Sequence, residues 1–402
     1  MNLLGLLLFG IIFSFVLVGY VKPDVVFPGA TYIYLKGGRI PASKRTVYFV
    51  FLLSAVVVFL IIAGFQYINT AEFTRDAFGG WSNDMSRYWF GFQDAGKQSL
   101  GQFMLSQMQE PLYLIFIYVM RRLTSHFSLV LLVAYGFYAV SVIKFLRDFV
   151  LFGGGEPRQP FAFAAFAFFC IMYVTILVSF SMFRTGLAVA IALHVYRFLL
   201  KEKWRKAYIV SLVACGFHFS AAILFPICIM YRIWRSKKLR LNFFMFIFFI
   251  VFVLGLAFAR LVPTLMKMVA GRYVAYGNSE GIAVNTYLTD FLLVLMILYR
   301  RKDFFRTKQD DICFIILLSS FFILDLQLAL SIFYRMIFFT YFPVILVIQR
   351  LFQIYRVRKN DMIVPLFARL FLVVYLLLFL YKFCIGAWTS YGLNSYRLFY
   401  FY

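Results

Sequence analysis

The sequence predicts an all-α, polytopic membrane protein with about ten spanning helices and one or two broken or re-entrant helical elements. Three observations carry this. Of 402 residues, 64% are hydrophobic and only 14% are charged, with 54 Phe, against about 45–50% apolar in soluble domains. Mean hydropathy is +0.87. About half of the chain falls into ten apolar runs, each roughly long enough to cross ~30 Å of hydrocarbon at ~1.5 Å per residue. A single soluble core of this length cannot bury so much apolar surface. A disordered chain, a disulfide scaffold and an ordinary cytosolic enzyme are therefore excluded.

The first run, 2–20, is apolar from Leu3 to Val18 and no basic residue precedes it. It lacks the positive region and small-residue cleavage site of a secretory signal. Lys22, Lys36, Arg39, Lys44 and Arg45 follow it, which places the N-terminus outside. Further spans are expected at 46–66, 127–146, 161–180, 185–200, 241–259, 283–299, 311–331, 336–352 and 362–384. Both termini then lie on the extracytoplasmic side, and residues 1–402 form one integral membrane domain. The longest polar stretch, about 67–110, lies outside and is expected to contribute to the site. Cys170, Cys215, Cys228, Cys313 and Cys384 all sit in apolar runs without a CxxC pair, so they read as buried free thiols.

Two segments are not simple spans. Segment 207–231 is apolar, but Lys201, Lys203, Arg205 and Lys206 precede it and Arg232, Arg235, Lys237, Lys238 and Arg240 follow it. If both flanks are cytoplasmic, the chain enters and returns, with Gly216 and His218 where it turns. Segment 103–122 contains Glu110-Pro111 and ends on Arg121-Arg122; it reads as an element dipping in from outside.

This topology sorts the charge of +24. The cytoplasmic side carries a net +18 and the outside a net +4, as the positive-inside rule requires. The basic excess is thus a topology signal and a match to anionic lipid. No basic cluster accompanies a nucleic-acid motif, so no nucleic-acid partner is expected.

The outward-facing charges become the informative ones, because charge beside apolar helices is expensive. Arg184 and Arg335 are each expected at the outer start of an inward-running helix. Helix N-termini attract anions, and a guanidinium fork suits phosphate. The pair reads as a seat for a phosphate or diphosphate, or else as snorkelling to the interface. His218 reads as a general base or substrate ligand, or as a histidine bonded to backbone carbonyls freed by the break. Glu110 is a candidate base or a partner of Arg121 or Arg122. The outer stretch holds Arg75, Asp76, Asp84 and Tyr88, a mix of carboxylates and rings suited to a sugar, or an ordinary interfacial loop. Arg272, Tyr273 and Tyr276, followed by Tyr287 and Asp290, form a second possible substrate wall. No HExxH, DxD or Cys/His ligand spacing occurs, so no metal or other cofactor is expected.

Asp84 with Tyr88, Glu110-Pro111-Leu112-Tyr113, Phe183-Arg184 followed by small residues, Phe217-His218-Phe219-Ser220-Ala221, and Tyr334-Arg335 with Tyr341 together resemble the EpsG branch of Wzy-type polysaccharide polymerases. One departure is the first loop, where Arg75-Asp76 and Asp84 stand apart instead of forming a dense acidic run. The resemblance implies a GT-C-like glycosyltransferase in the bacterial inner membrane. It would join oligosaccharide repeat units carried on undecaprenyl diphosphate at the extracytoplasmic face. It implies the lipid-linked oligosaccharide as donor and acceptor, with flippase and chain-length regulator proteins as partners. Arg184 and Arg335 would stabilise the leaving diphosphate, and His218 or Glu110 would take the acceptor proton. Arg75, Asp76, Asp84, Tyr88, Arg272, Tyr273 and Tyr341 would bind substrate. The rival readings are a flippase or transporter of lipid-linked sugar, a ligase, and an acyltransferase.

Overall fold

The computed structural model describes residues 85–107, 109–146, 148–149, 182–237, 241–259, 284–329, 331–355 and 363–375, with residues 57, 60 and 64. Spans 2–20 and 161–180, most of 46–66 and the end of 362–384 lie outside the described residues, as do Cys170 and Cys384. The chain forms two compact units: residues 1–193 with 216–218 and 377–402, and residues 194–215 with 219–376. Every described element is helical.

The first unit contains α1 (Met85–Ala95), α2 (Leu100–Gln107), α3 (Pro111–Leu123), α4 (Phe127–Leu146) and the start of α5 (Phe183–Leu200). Helices α1, α2 and α3 pack on one another. Ser99 and Gln102 form a capping box at the start of α2: the Ser99 N–H donates to Gln102 Oε1 at 3.2 Å and the Gln102 N–H to Ser99 Oγ at 3.4 Å. Segment 103–122 is thus two helices broken at Glu110-Pro111. Proline has no N–H and disfavours helical geometry in the residue before it. Glu110 is accordingly extended (φ −63°, ψ 133°), and Pro111 serves as the first residue of α3. The 13 residues of α3 span ~20 Å, less than a bilayer core. Its C-terminal end folds back on α1 and α2: Arg122 Nη2 donates to Gln98 O at 3.2 Å, and the Arg121 guanidinium lies 5.1 Å from the Phe92 ring centroid.

The second unit contains the end of α5, then α6 (Trp204–Phe217), a 3-10 segment Phe219–Ile223, α7 (Leu224–Lys237), α8 (Leu241–Ala259), α9 (Val284–Tyr299), α10 (Arg301–Phe304), α11 (Lys308–Ala329), a 3-10 segment Ser331–Phe339, α12 (Tyr341–Ile354) and α13 (Ile363–Tyr375). Helices α6 and α7 form an antiparallel hairpin. Trp204 and Tyr231 have ring centroids 5.7 Å apart, Tyr208 and Phe225 stack at 6.5 Å, and Glu202 accepts from Arg235 Nη2 at 3.0 Å. Residues 202 and 235 on a continuous helix would be ~50 Å apart. The chain therefore doubles back on itself, and its two basic flanks share one end. Helix α11 is the hub of this unit, packing on α7, α8, α9, α12 and the 3-10 segment Ser331–Phe339. It starts at a Thr307-x-x-Asp310 box in which Asp310 Oδ2 accepts from the Thr307 N–H at 2.9 Å.

The exposed surface of this unit is apolar along whole helices. Phe246, Phe249 and Leu254 on α8, Ile363, Phe367 and Leu370 on α13, and Ile209 and Leu212 on α6 are all exposed. Water penalises such faces and hydrocarbon does not. Among the described residues, α5 alone combines 18 residues with spanning hydropathy; α4, α8, α9, α12 and α13 contain shorter apolar stretches.

Candidate functional site

Phe183 is the peg that sets the site. It is fully buried in the first unit, with its ring against Tyr88 (5.7 Å), Tyr135 (5.8 Å), Tyr113 (6.2 Å) and Phe127 (6.3 Å). These rings come from α1, α3 and α4, so three helices fix where α5 begins. Arg184 follows as the second residue of α5. Its guanidinium carbon lies 5.7 Å from both the Tyr88 and the Tyr113 ring centroids, a cation–π setting.

Arg184 has no acidic neighbour in sequence, yet its Nη1 donates to Glu110 Oε2 in an ion pair whose side chains are only 13% and 17% exposed. Glu110 is therefore not the partner of Arg121 or Arg122. Its carboxylate makes no cap bond to α3. The Nε of Arg184 is buried with no hydrogen-bond partner. A guanidinium has five donors, so the site retains capacity for a further acceptor.

His218 lies in the break between α6 and the following 3-10 segment and is buried. Its turn, 216–218, belongs to the first unit. Gly216 permits this approach: a Cβ there would lie 2.5 Å from Leu112 Cδ1 and Cγ. Phe217 packs on Phe116 with ring centroids 6.2 Å apart. The hairpin tip thus sits on the first turn of α3, the helix that begins after Glu110. Residues 110, 184 and 218 are far apart in sequence and belong to one unit.

Arg335 needs a correction. It was expected at the start of a spanning helix, but it is half-buried within the 3-10 segment Ser331–Phe339, and α12 begins at Tyr341. Thr340 Oγ1 donates to Ile337 O at 2.8 Å and Thr340 N to the same carbonyl at 3.0 Å. Those bonds close a turn and restart the helix six residues after Arg335. Tyr341 is the first residue of α12. Arg75, Asp76, Asp84, Arg272, Tyr273 and Tyr276, and the side chain of Tyr287, lie outside the described residues.

The surroundings of three polar residues were not legible in the sequence. Tyr113 flanks Arg184; its signal was its place three residues after Glu110, one helical turn on. Asp290, expected in an outer substrate wall, is buried inside the second unit, where Ser320 Oγ donates to it at 2.8 Å and the Tyr375 hydroxyl at 3.1 Å. Asp325, on α11, is 3% exposed, and neither carboxylate oxygen has a hydrogen-bond partner. It faces Gly255, where a Cβ would lie 2.6 Å from Oδ2.

Fold and site define an all-helical protein with lipid-compatible surfaces and a sealed, aromatic-walled arginine–carboxylate pair at a helix start. The chain belongs to the EpsG family, whose model matches residues 49–398. That places it among polysaccharide-polymerase-type membrane proteins associated with glycosyltransferase-like chemistry. No curated protein and no solved structure matches the chain.

Proposed function

We propose that the protein polymerises polysaccharide at the extracytoplasmic face of a bacterial inner membrane, from oligosaccharide units carried on undecaprenyl diphosphate. The acceptor hydroxyl oxygen attacks the anomeric carbon of the donor chain. The bond from that carbon to the diphosphate oxygen breaks, and the hydroxyl proton passes to a base. The donor's own diphosphate bond supplies the energy. The observation that carries this reading is the Arg184 guanidinium, buried at a helix start between two tyrosines with Nε unpartnered. Such a group stabilises charge that develops on a leaving diphosphate. His218 and Glu110 are the base candidates. Asp84 and Tyr88 are proposed as sugar-binding residues; Arg335 as an anion-binding cation and Tyr341 as a sugar-binding residue rest on the sequence argument alone.

The test is a strain lacking the gene, with its surface polysaccharide resolved on a gel. Loss of a polymerase leaves single repeat units and no ladder; the intact gene restores long chains and Arg184→Ala does not. Loss of a flippase instead leaves no unit at the surface. Long chains persisting without the gene overturn the reading.

A further inference from the structure

We propose that Glu110 is an exchangeable counter-ion: it holds the anion seat on Arg184 until the substrate's diphosphate displaces it, and it then receives the acceptor's proton. This rests on the polymerase reading above.

Three features of the site point to exchange in place of a fixed structural pair. First, the carboxylate does not cap the helix that follows it. It makes no cap bond to α3, and Pro111 fills the first helical position, where an N–H would otherwise need a partner. Pro111 also fixes Glu110 as extended, so the side chain can swing while its Cα stays in place. Second, the guanidinium is incompletely used. Nη1 donates to Glu110, while Nε is buried with no partner. A diphosphate offers several oxygens to one fork, so it can satisfy donors that one carboxylate leaves open. Third, a swap on the guanidinium adds less negative charge beside it than an addition would. A buried arginine without an internal anion is costly before substrate arrives. A carboxylate and a diphosphate side by side on one guanidinium repel. Replacing one anion by the other avoids both costs. The adjacent Tyr88 and Tyr113 rings, each 5.7 Å from the guanidinium carbon and 5.9 Å from each other, support the guanidinium from one side during the exchange.

The freed carboxylate then has lone pairs open to a hydroxyl. In the step itself the acceptor O–H proton moves to a Glu110 oxygen and the acceptor oxygen bonds to the anomeric carbon. The carbon–oxygen bond to the diphosphate breaks, and its electron pair stays on the diphosphate oxygen beside Arg184. When the lipid diphosphate leaves, the proton passes to water and Glu110 pairs with Arg184 again. Binding of donor thereby switches on the base, and the empty site is kept inert.

The experiment measures inorganic diphosphate binding to the purified full-length protein in lipid nanodiscs, alongside polymer output in cells. In wild type, diphosphate binds and Arg184→Ala removes the binding. Glu110→Gln keeps the side-chain length but loses the charge, so it should bind diphosphate about fivefold or more tightly while polymer output falls at least ~tenfold. Glu110→Ala should move both quantities in the same directions, which guards against a defect peculiar to glutamine. Weaker or unchanged diphosphate affinity in Glu110→Gln overturns the exchange and leaves the polymerase reading standing. Unchanged polymer output in Glu110→Gln overturns the base role. No diphosphate binding by folded wild type, judged by its melting transition, overturns both the exchange and the diphosphate-site reading beneath it.

Discussion

The described residues include two contrasting sets of arginine–carboxylate contact. In the first unit the pair of Arg184 with Glu110 lies beside two tyrosines and is nearly sealed from solvent. At the flanks of the hairpin in the second unit, Glu202 is shared between Arg235 and Lys308, with side-chain exposures of 39%, 35% and 45%. Arg235 also lies 3.7 Å from Asp311. The groups are alike and the surroundings differ. Water screens the second set, so each of its pairs is worth at most about 1 kcal/mol. The first pair cannot be broken without leaving a charge in a poor solvent, where the loss is larger. A protein that only needs to hold helices together gains little from the sealed pair. Arg350 and Asp310 in the second unit are as buried, with side chains 15% and 8% exposed; what sets Arg184 apart is the pair of tyrosine rings beside its guanidinium, and the variants below test its contrast with the exposed set.

The largest effect is expected at Arg184. Arg184→Ala should lower polymer output by ~100-fold or more, as loss of a charge-stabilising donor does, with normal protein levels in the membrane. Arg184→Lys should fail too, because an ammonium lacks the planar fork. Arg235→Ala should leave output within about threefold. Equal losses at Arg184 and Arg235 would erase the contrast.

Next comes the hairpin tip. Gly216→Val drives a side chain into Leu112 and should cost about 1–3 kcal/mol, seen as a lower melting temperature of the purified protein. Leu112→Ala in the same chain should recover part of that loss; no recovery would show that the contact is not the cause. Asp290→Ala removes the acceptor of Ser320 and Tyr375 and should cost about 1–3 kcal/mol without altering diphosphate binding.

The smallest effect is a pH dependence at Glu202. The hydrogen bond from Lys308, then that from Arg235, holds its carboxyl below the usual carboxylate range. A lowered folded value means that the contribution to stability is present above the ordinary carboxylate pKa and fades as pH falls through the folded one. Glu202→Gln should remove that contribution near neutral pH, a change under about 1 kcal/mol. Melting curves of the two proteins should converge at acid pH.

Much of this architecture was legible in the sequence. The long apolar runs gave α4, α5, α8, α9 and α11 to within a few residues. The two basic flanks gave the hairpin, because charge on both sides of an apolar run leaves it nowhere to cross. Arg184 stood out as a guanidinium at the start of an apolar helix, which is where the structure places it. Its partner did not, because Glu110 lies 74 residues away and only the packing of Phe183 brings them together. The region around Arg335 misled for a different reason. Ser331–Phe339 contains neither Gly nor Pro, so nothing local announces a break. Its 3-10 winding accompanies packing against α11 and a Thr340 side chain that bonds back to the preceding turn. Tyr375 and Ser320 were invisible as partners of Asp290 because three separate helices supply the cluster.

The hairpin has a consequence for how the chain is built into a bilayer. Each arm has 14 residues, ~21 Å of helix, too short to be threaded across alone. Under the proposed topology the arms should partition as a unit, after Lys237 has been synthesised, and leave both flanks on one side. Reporters fused just before Trp204 and just after Lys237 should read the same compartment, so everything downstream keeps the sidedness it would have if the whole segment were deleted.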